Sequence, residues 1–272
     1  VERTLARIPK HGYHAIDGDT IVSPRSGEAA LRAAGAVCAA VDAILQGEAD
    51  NAYCAIRPPG HHAEPNQAMG FCLFGNAAIG AAHARAIHDL KRVAVIDFDV
   101  HHGNGTQAAF EHDPAYLYAS THQAYIYPGT GRREERGIGN IINVPLLANS
   151  GSADLRHAWR QDIEPALRQF QPQFILISAG FDAHREDDLG QMGLVEADYA
   201  YITRRLMEVA DRHAKGRNHR RRRNPPYHIA RQARAEQQDD QRPGGGKGKQ
   251  QPRKIKHEHA PRRRSRHRRD GL

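Results

Sequence analysis

Three side chains that can bind a metal ion follow one another at two-residue intervals within Val93–Gly105, VAVIDFDVHHGNG. Asp97, Asp99 and His101 lie among apolar residues that predict a short buried strand running out into a glycine-containing loop. Alternate residues of a strand share one face and rise about 6.5 Å per pair, so the three groups are predicted to lie on one side. Because a carboxylate is costly to bury without a cation or a donor, the pattern predicts a divalent metal ion. A salt-bridged strand end beside a flexible loop is the alternative.

Other candidate groups also come at or after the ends of predicted strands. Asp182 follows the predicted strand Phe174–Ser178, and the tandem pair His61 and His62 follows the predicted strand Ala52–Ile56. In open α/β sheets, sites form in the crevice beyond the carboxyl ends of the strands. We therefore expect these residues to converge with the central cluster.

The residue types in this cluster match those of a catalytic metal site. Catalytic zinc typically keeps three protein ligands and one open position for water. Asp99, His101 and Asp182 supply such a set. His61 and His62 are predicted to place imidazoles near that water without binding the metal themselves.

Two further polar residues are suited to hold the imidazoles. Asp97 and Asn104 can each form a hydrogen bond to a ring nitrogen, and such a partner sets the tautomer that faces a substrate. The remaining histidines in helical patterns are predicted to lie on helix surfaces exposed to water: His83, His88, His112 and His157.

The surrounding elements alternate between strands and helices. Helices are predicted at about 27–46, 75–90, 105–112, 152–170 and 195–214, and strands at 52–56, 93–100, 116–120, 141–145 and 174–178. Residues 1–22 are predicted to be loop-like. This alternation is typical of an α/β domain in three layers, with a mostly parallel sheet and helices on both faces.

Charge divides the 272-residue chain into two parts. Residues 217–272 contain 19 Lys and Arg against 5 Asp and Glu, so the formal net charge of +8 hides an acidic segment 1–216 and a strongly basic tail. The tail has too few apolar residues to form a core and is predicted to be disordered. Its charge would suit nucleic acid, but it lacks interleaved aromatic residues. Its composition favours instead the product of a reading-frame shift.

Composition also bears on the compartment. The three cysteines form no CxxC spacing, so no disulfide framework is predicted and a reducing, cytoplasmic location fits best. No apolar run reaches the roughly 18 residues needed to cross a membrane, and no signal peptide is predicted. The sequence predicts no particular oligomeric state.

Five ordered motifs resemble the histone deacetylase superfamily over about residues 10–216. They are RPPGHHA (57–63), GFC (70–72), DFDVHHGNGT (97–106), YPGTG (127–131) and SAGFDAH (178–184). The class II deacetylases and acetylpolyamine amidohydrolases are the nearer branch, because Asn104 stands where class I enzymes carry an acidic residue. The resemblance implies an arginase/deacetylase-like fold.

The resemblance also assigns roles to residues. It implies one zinc ion held by Asp99, His101 and Asp182, with His61 and His62 as the proton-transfer pair, Asp97 oriented to His61, and Asn104 to His62. It implies a narrow substrate tunnel lined by Phe71 and Tyr127, with the Gly70 carbonyl near the scissile amide and Asp19 as an acid at the rim. Structural potassium would bind backbone oxygens of Asp97, Asp99 and His101, near Ser120.

The expected function is that of a zinc-dependent amidohydrolase that removes acetyl groups from acetyl-lysine or acetylpolyamine-like substrates. The alternatives are an arginase-like ureohydrolase and a non-catalytic metal-binding fragment with a nucleic-acid-binding tail. Two departures from the family pattern predict an incomplete domain with impaired activity. The family's usual first strand is absent before Val1, and no Gly-Gly-Tyr motif follows the helix at 195–214. Tyr227, in NPPYHIA, does not match the oxyanion-stabilising Tyr of that motif.

Overall fold

The computed structural model describes residues 1–214. The basic tail and the predicted domain boundary after residue 216 lie outside these residues. In chain order the elements are α1 (Glu2–Leu5), β1 (His14–Ala15), β2 (Ile21–Val22), α2 (Ser26–Leu45), α3 (Asn76–His88), β3 (Val93–Asp97), α4 (Asn104–Phe110), β4 (Tyr116–Gln123), β5 (Ile141–Leu146), α5 (Ser152–Ala158), a π-helical segment (Trp159–Ile163), α6 (Glu164–Phe170), β6 (Phe174–Ser178) and α7 (Glu196–Ala214).

Four parallel strands form the main sheet, in the order β5-β4-β3-β6. All five residues of β3 are buried, as expected for a central strand with both faces covered. The last residue of β3, Asp97, is in register with Ser120 of β4 and Ser178 of β6. The carboxyl ends of these three strands therefore meet at one edge of the sheet.

Helices cover both faces of the sheet, which confirms the predicted three-layer α/β fold. Ala94 and Ile96 of β3 belong to a core that includes the fully buried Trp159 and residues of α5, α6 and α7. Val93 and Val95 belong to the opposite core, with residues of α2, α3 and α4. This division follows from the two-residue period of a strand, because successive side chains point to opposite faces.

Several predicted elements need correction. No strand forms over Ala52–Ile56, because this segment lies on the surface with Tyr53 76% exposed and pairs with no strand in residues 1–214. The central strand ends at Asp97, not at Val100. Residues 1–22, predicted as loop, contain α1 and the antiparallel pair β1–β2. The predicted helix 152–170 is interrupted by a π-helical turn. None of the described helices is long and apolar enough to span a membrane.

Candidate active site

Asp99, His101 and Asp182 converge beyond the carboxyl ends of β3 and β6. His101 Nδ1 lies 3.1 Å from Asp99 Oδ1 and 3.1 Å from Asp182 Oδ2. One ligand atom from each residue lies within 4.8 Å of the other two, so the three side chains can share one metal ion. Backbone groups hold the carboxylates in place, since the His101 amide donates to Asp99 Oδ1 and the Val100 amide donates to Asp182 Oδ1.

The geometry reaches this convergence by a route that differs from the predicted one. Only Asp97 lies in the strand, whereas Asp99 and His101 lie on the loop that follows it. Asp97 is fully buried and is not among the three side chains of the candidate metal site. The ligand atoms of Asp99 and His101 are therefore brought together with Asp182 by the loop that follows β3. They do not lie on one shared face of the strand, as predicted.

Gly180, at the start of the β6 loop, makes this close approach possible. A Cβ atom built on Gly180 would lie 1.9 Å from Asp99 Oδ2. Any side chain at this position would displace the Asp99 carboxylate. The glycine in SAGFDAH thus has a steric role directly at the candidate metal site.

His61 is held between two carboxylates. Its Nδ1 atom lies 3.0 Å from Asp97 Oδ2, and its Nε2 atom lies 3.8 Å from Asp99 Oδ2. The Tyr118 hydroxyl also donates to Asp97 Oδ2, at 3.2 Å. Burial alone would lower the pKa of His61, but the charges of Asp99 and Asp97 outweigh this effect and raise it to about 9. The carboxylates on either side therefore favour the protonated form of His61.

His62 has a different environment. Its Nδ1 atom lies 2.9 Å from Asn104 Oδ1, while Asn104 Nδ2 donates to Glu64 Oε1 at 2.7 Å. Because a carboxylate can only accept, Glu64 fixes the orientation of the Asn104 amide, and Nδ1 of His62 must carry the proton. Burial and the nearby positive charge of His61 lower the pKa of His62 to about 3. His62 is therefore neutral, with a free lone pair on Nε2.

The two adjacent imidazoles, whose centroids are 4.0 Å apart, thus have pKa values shifted in opposite directions. A pair of titratable groups whose environments push their pKa values apart is a common arrangement for acid and base chemistry. The sequence alone suggested hydrogen-bonding roles for Asp97 and Asn104. It did not reveal Glu64 and Tyr118, because both act through partners more than 20 residues away.

Of the residues predicted for substrate binding, Gly70 and Tyr127 lie directly against His62. The Tyr127 ring packs edge-on against His62, with centroids 5.0 Å apart, and Phe71 is 58% exposed. Gly70 has a positive φ of 56°, and a Cβ atom there would lie 2.6 Å from His62 Cδ2. Asp19 is exposed in the β1–β2 turn. This turn contacts Phe71, because the Phe71 amide donates to Thr20 Oγ1.

A second pair of histidines, His102 and His122, lies buried beneath the loop at 127–131. The sequence analysis assigned no role to His102. The rings of His102 and His122 are 4.9 Å apart. His102 contacts Thr130 and Gln107, and His122 contacts the Gly131 carbonyl and Ser120. Burial lowers the pKa of His102 to about 3 and that of His122 to about 4, so both rings are neutral hydrogen-bonding groups that support the loop.

The parallel sheet, with its polar cluster beyond the strand ends, places the chain in the arginase/deacetylase class of α/β proteins. Residues 2–218 match the family profile "Histone deacetylase domain". The chain belongs to this family, which confirms the resemblance.

Two curated relatives illustrate the match. The chain is 44% identical over 211 residues to "Histone deacetylase-like amidohydrolase" of Pseudomonas aeruginosa, covering 76% of this chain and 56% of that protein. It is 46% identical over 218 residues to "Type-2 histone deacetylase 2" of Dictyostelium discoideum, covering 73% of this chain and 13% of that protein. The chain therefore spans little more than half the length of the first relative and far less of the second.

Solved structures agree with this placement. The HDA15 HD domain matches with a TM-score of 0.71 and 40% identity, over 72% of this chain and 59% of that one. An acetylpolyamine aminohydrolase from Burkholderia pseudomallei matches with a TM-score of 0.65 and 36% identity, over 68% of this chain and 55% of that one. These matches confirm the predicted fold class.

Proposed function

We propose that this chain is a zinc-dependent amidohydrolase that removes acetyl groups from acetyl-lysine or acetylpolyamine-like amines. The observation that carries the proposal is the convergence of Asp99, His101 and Asp182 beside the buried, adjacent imidazoles of His61 and His62. Its membership of the histone deacetylase family supports the same reaction class.

The donor set fits zinc. One imidazole nitrogen and two carboxylate oxygens are ligands that zinc accepts, and a three-residue set leaves a position open for water or substrate. Bound there, zinc would polarise the acetyl carbonyl and lower the pKa of a water molecule to about 7. Asp99, His101 and Asp182 would hold the ion, and Gly180 leaves Asp99 the space to do so.

Within the proposed mechanism, the two histidines divide the proton chemistry. His62, neutral and with a free Nε2 lone pair, would take a proton from the attacking water and pass it to the leaving amine. His61, held by its hydrogen bond with Asp97, would act beside His62 as the second imidazole of the proton-transfer pair. Asn104 and Glu64 keep His62 in the tautomer that this role requires.

The proposed substrate has a flat amide on a flexible aliphatic chain. Phe71 and Tyr127 would contact that chain, and the Gly70 carbonyl would accept from the amide nitrogen. Asp19, exposed nearby, would bind a free amine or backbone N–H of the substrate. Two relatives carry names that fit such substrates: one is called a histone deacetylase-like amidohydrolase and the other an acetylpolyamine aminohydrolase.

The direct test is acetate release from an acetyl-lysine peptide and from an acetylated polyamine, with the full chain loaded with zinc. We expect acetate release above the buffer rate, its loss on removal of zinc with a chelator, and its return when zinc is added back. Absence of acetate release in every zinc-loaded sample would favour the non-catalytic alternative. Urea release from arginine would instead favour the arginase-like one.

We also propose that turnover is weak, because the chain contains no Gly-Gly-Tyr motif to supply the oxyanion-stabilising Tyr. Loss of one oxyanion donor typically reduces the rate by about 10²–10³. Truncation after Gly216 is therefore expected to change neither zinc content nor residual acetate release. Turnover that truncation abolishes would show that residues 217–272 contribute a catalytic group.

Three further assignments accompany this proposal. A structural potassium ion would bind the backbone oxygens of Asp97, Asp99 and His101, near Ser120, which is in register with Asp97 in the sheet. The cytoplasm is the proposed compartment, because Cys38, Cys54 and Cys72 are all free thiols. DNA binding by the basic tail would appear as salt-sensitive affinity, and we do not favour it as the main function.

A further inference from the structure

A second cluster of metal-ligand groups lies away from the candidate active site. Asp42 Oδ1 lies 2.7 Å from His83 Nε2 and 2.6 Å from His88 Nε2. His83 and His88, predicted to lie on a helix surface exposed to water, are on the surface of α3 but partly covered, with side chains 23% and 16% exposed. Asp42 lies on α2, while both histidines lie on α3, so the cluster bridges two helices.

This cluster has the same geometric signature as the candidate catalytic site. In both, three ligand atoms from three residues lie within 4.8 Å of one another. In both, an imidazole nitrogen lies within hydrogen-bonding distance of a carboxylate oxygen. Within residues 1–214, these are the two groups of His, Cys, Asp and Glu that meet this criterion.

The packing of the two helices explains why these residues meet. Gly80 lies one turn before His83, and a Cβ atom there would lie 2.5 Å from Val37 Cγ1 of α2. The missing side chain lets α3 approach α2 closely. The same approach brings the end of α3 over Asp42, which lies one turn before α2 ends at Leu45.

The position of the cluster separates it from the proposed reaction. His88 ends α3 five residues before β3 begins at Val93, whereas the candidate active site follows the other end of β3 at Asp97. A five-residue strand is about 13 Å long, so the two sites lie at opposite edges of the sheet. An ion at the second cluster could not contact a substrate bound near His62.

We propose that Asp42, His83 and His88 form a second, structural metal site that takes a zinc-like divalent ion and ties α2 to α3. Two imidazoles and one carboxylate form the three-residue zinc set that some catalytic sites use with a water as the fourth ligand, and the partial exposure of all three side chains admits that water. A bound ion would exchange the hydrogen bonds to Asp42 for metal–ligand bonds that link the two helices. The site stabilises the packing of α2 against α3, the helix that precedes β3.

The test compares zinc content in the full chain and its variants after equilibration with zinc and gel filtration. Asp42→Asn is the key substitution, because the amide oxygen can still accept from both histidines but is a poor metal ligand. We expect the wild-type chain to bind one zinc equivalent more than Asp42→Asn. Acetate release should be equal in the two proteins, since Asp42 is remote from the active site. His157→Ala, which removes an exposed helix histidine, should bind as much zinc as the wild type.

A second measurement separates a metal site from a hydrogen-bonded helix contact. In an Asp182→Ala background, in which the candidate catalytic site is disrupted, added zinc should raise the thermal midpoint. That rise should disappear when Asp42→Asn is combined with Asp182→Ala. The five histidines beyond residue 214 are identical in all these proteins and cancel in the comparison. Equal zinc content in wild type and Asp42→Asn, or an equal thermal shift in both Asp182→Ala proteins, would overturn the second site.

Discussion

The His62→Ala variant is expected to lose acetate release by about 10²–10⁴-fold, the range attributed to a positioned general acid–base group. The reason is that His62 combines burial, a neutral ring and a free Nε2 lone pair fixed by Asn104 and Glu64. Zinc content should stay at the wild-type level, because His62 is not among the three residues of the candidate metal site. Initial rates with an acetyl-lysine peptide and metal analysis of the same samples provide the measurement.

Two controls sharpen this prediction. His157→Ala removes an exposed histidine and should leave both rate and zinc content unchanged. Glu64→Gln should lower the rate less than His62→Ala, because it frees the Asn104 amide to rotate without removing the imidazole. Loss of zinc from His62→Ala would place this histidine among the metal ligands and contradict the proposed division of roles.

The Arg205→Ala variant is expected to lose about 3 kcal/mol of stability, the lower end of the range for breaking a buried ion pair. Arg205 donates to both carboxylate oxygens of Glu164 at 2.6 Å, and the Glu164 side chain is only 7% exposed. Without Arg205, this carboxylate would remain in the core with the longer 3.4 Å contact to Arg168. We expect a loss at the lower end of that range because the Arg205 side chain is itself 28% exposed, so the ion pair is only partly buried.

Urea unfolding at several pH values tests this expectation. The hydrogen bonds from Arg205 lower the pKa of Glu164, so the pair stabilises the fold above the unfolded-state pKa of Glu. That stabilisation is lost as the pH falls through the lowered pKa. The difference between wild type and Arg205→Ala should therefore be full at neutral pH and shrink on acidification. Arg204→Ala, at the exposed neighbouring position, should have little effect. A pH-independent difference, or an equal loss in Arg204→Ala, would contradict the explanation.

Features that depend on local sequence were predicted well. Helices α2, α3 and α7 follow from apolar periodicity, and β3, β4, β5 and β6 follow from short apolar runs that end in loops. The parallel sheet follows from their alternation with helices, which lie on the connections from β3 to β4 and from β5 to β6. The convergence of Asp99 with Asp182 was also predictable, because both follow strands that end at the same edge.

Features that depend on which surfaces pack together were not predictable. The segment Ala52–Ile56 has the composition of a strand but meets no partner, and periodicity cannot reveal a missing partner. His83 and His88 occupy positions that look exposed on α3 alone, and only the approach of α2 covers them. Their partner Asp42 lies 41 and 46 residues earlier in the chain. The same holds for Glu64, whose role depends on Asn104.

The metal content and acetate release of Asp182→Ala, each compared with wild type, test the central claim most directly. Asp182, on the loop after β6, supplies one of the three ligand atoms of the candidate metal site. The other two ligand atoms belong to Asp99 and His101, so neither can replace the Asp182 carboxylate. We predict the loss of one zinc equivalent relative to wild type, with acetate release falling to the level of the chelated protein and with circular dichroism showing an intact fold. A folded Asp182→Ala protein that retains the full wild-type zinc content and turnover would contradict the proposed site.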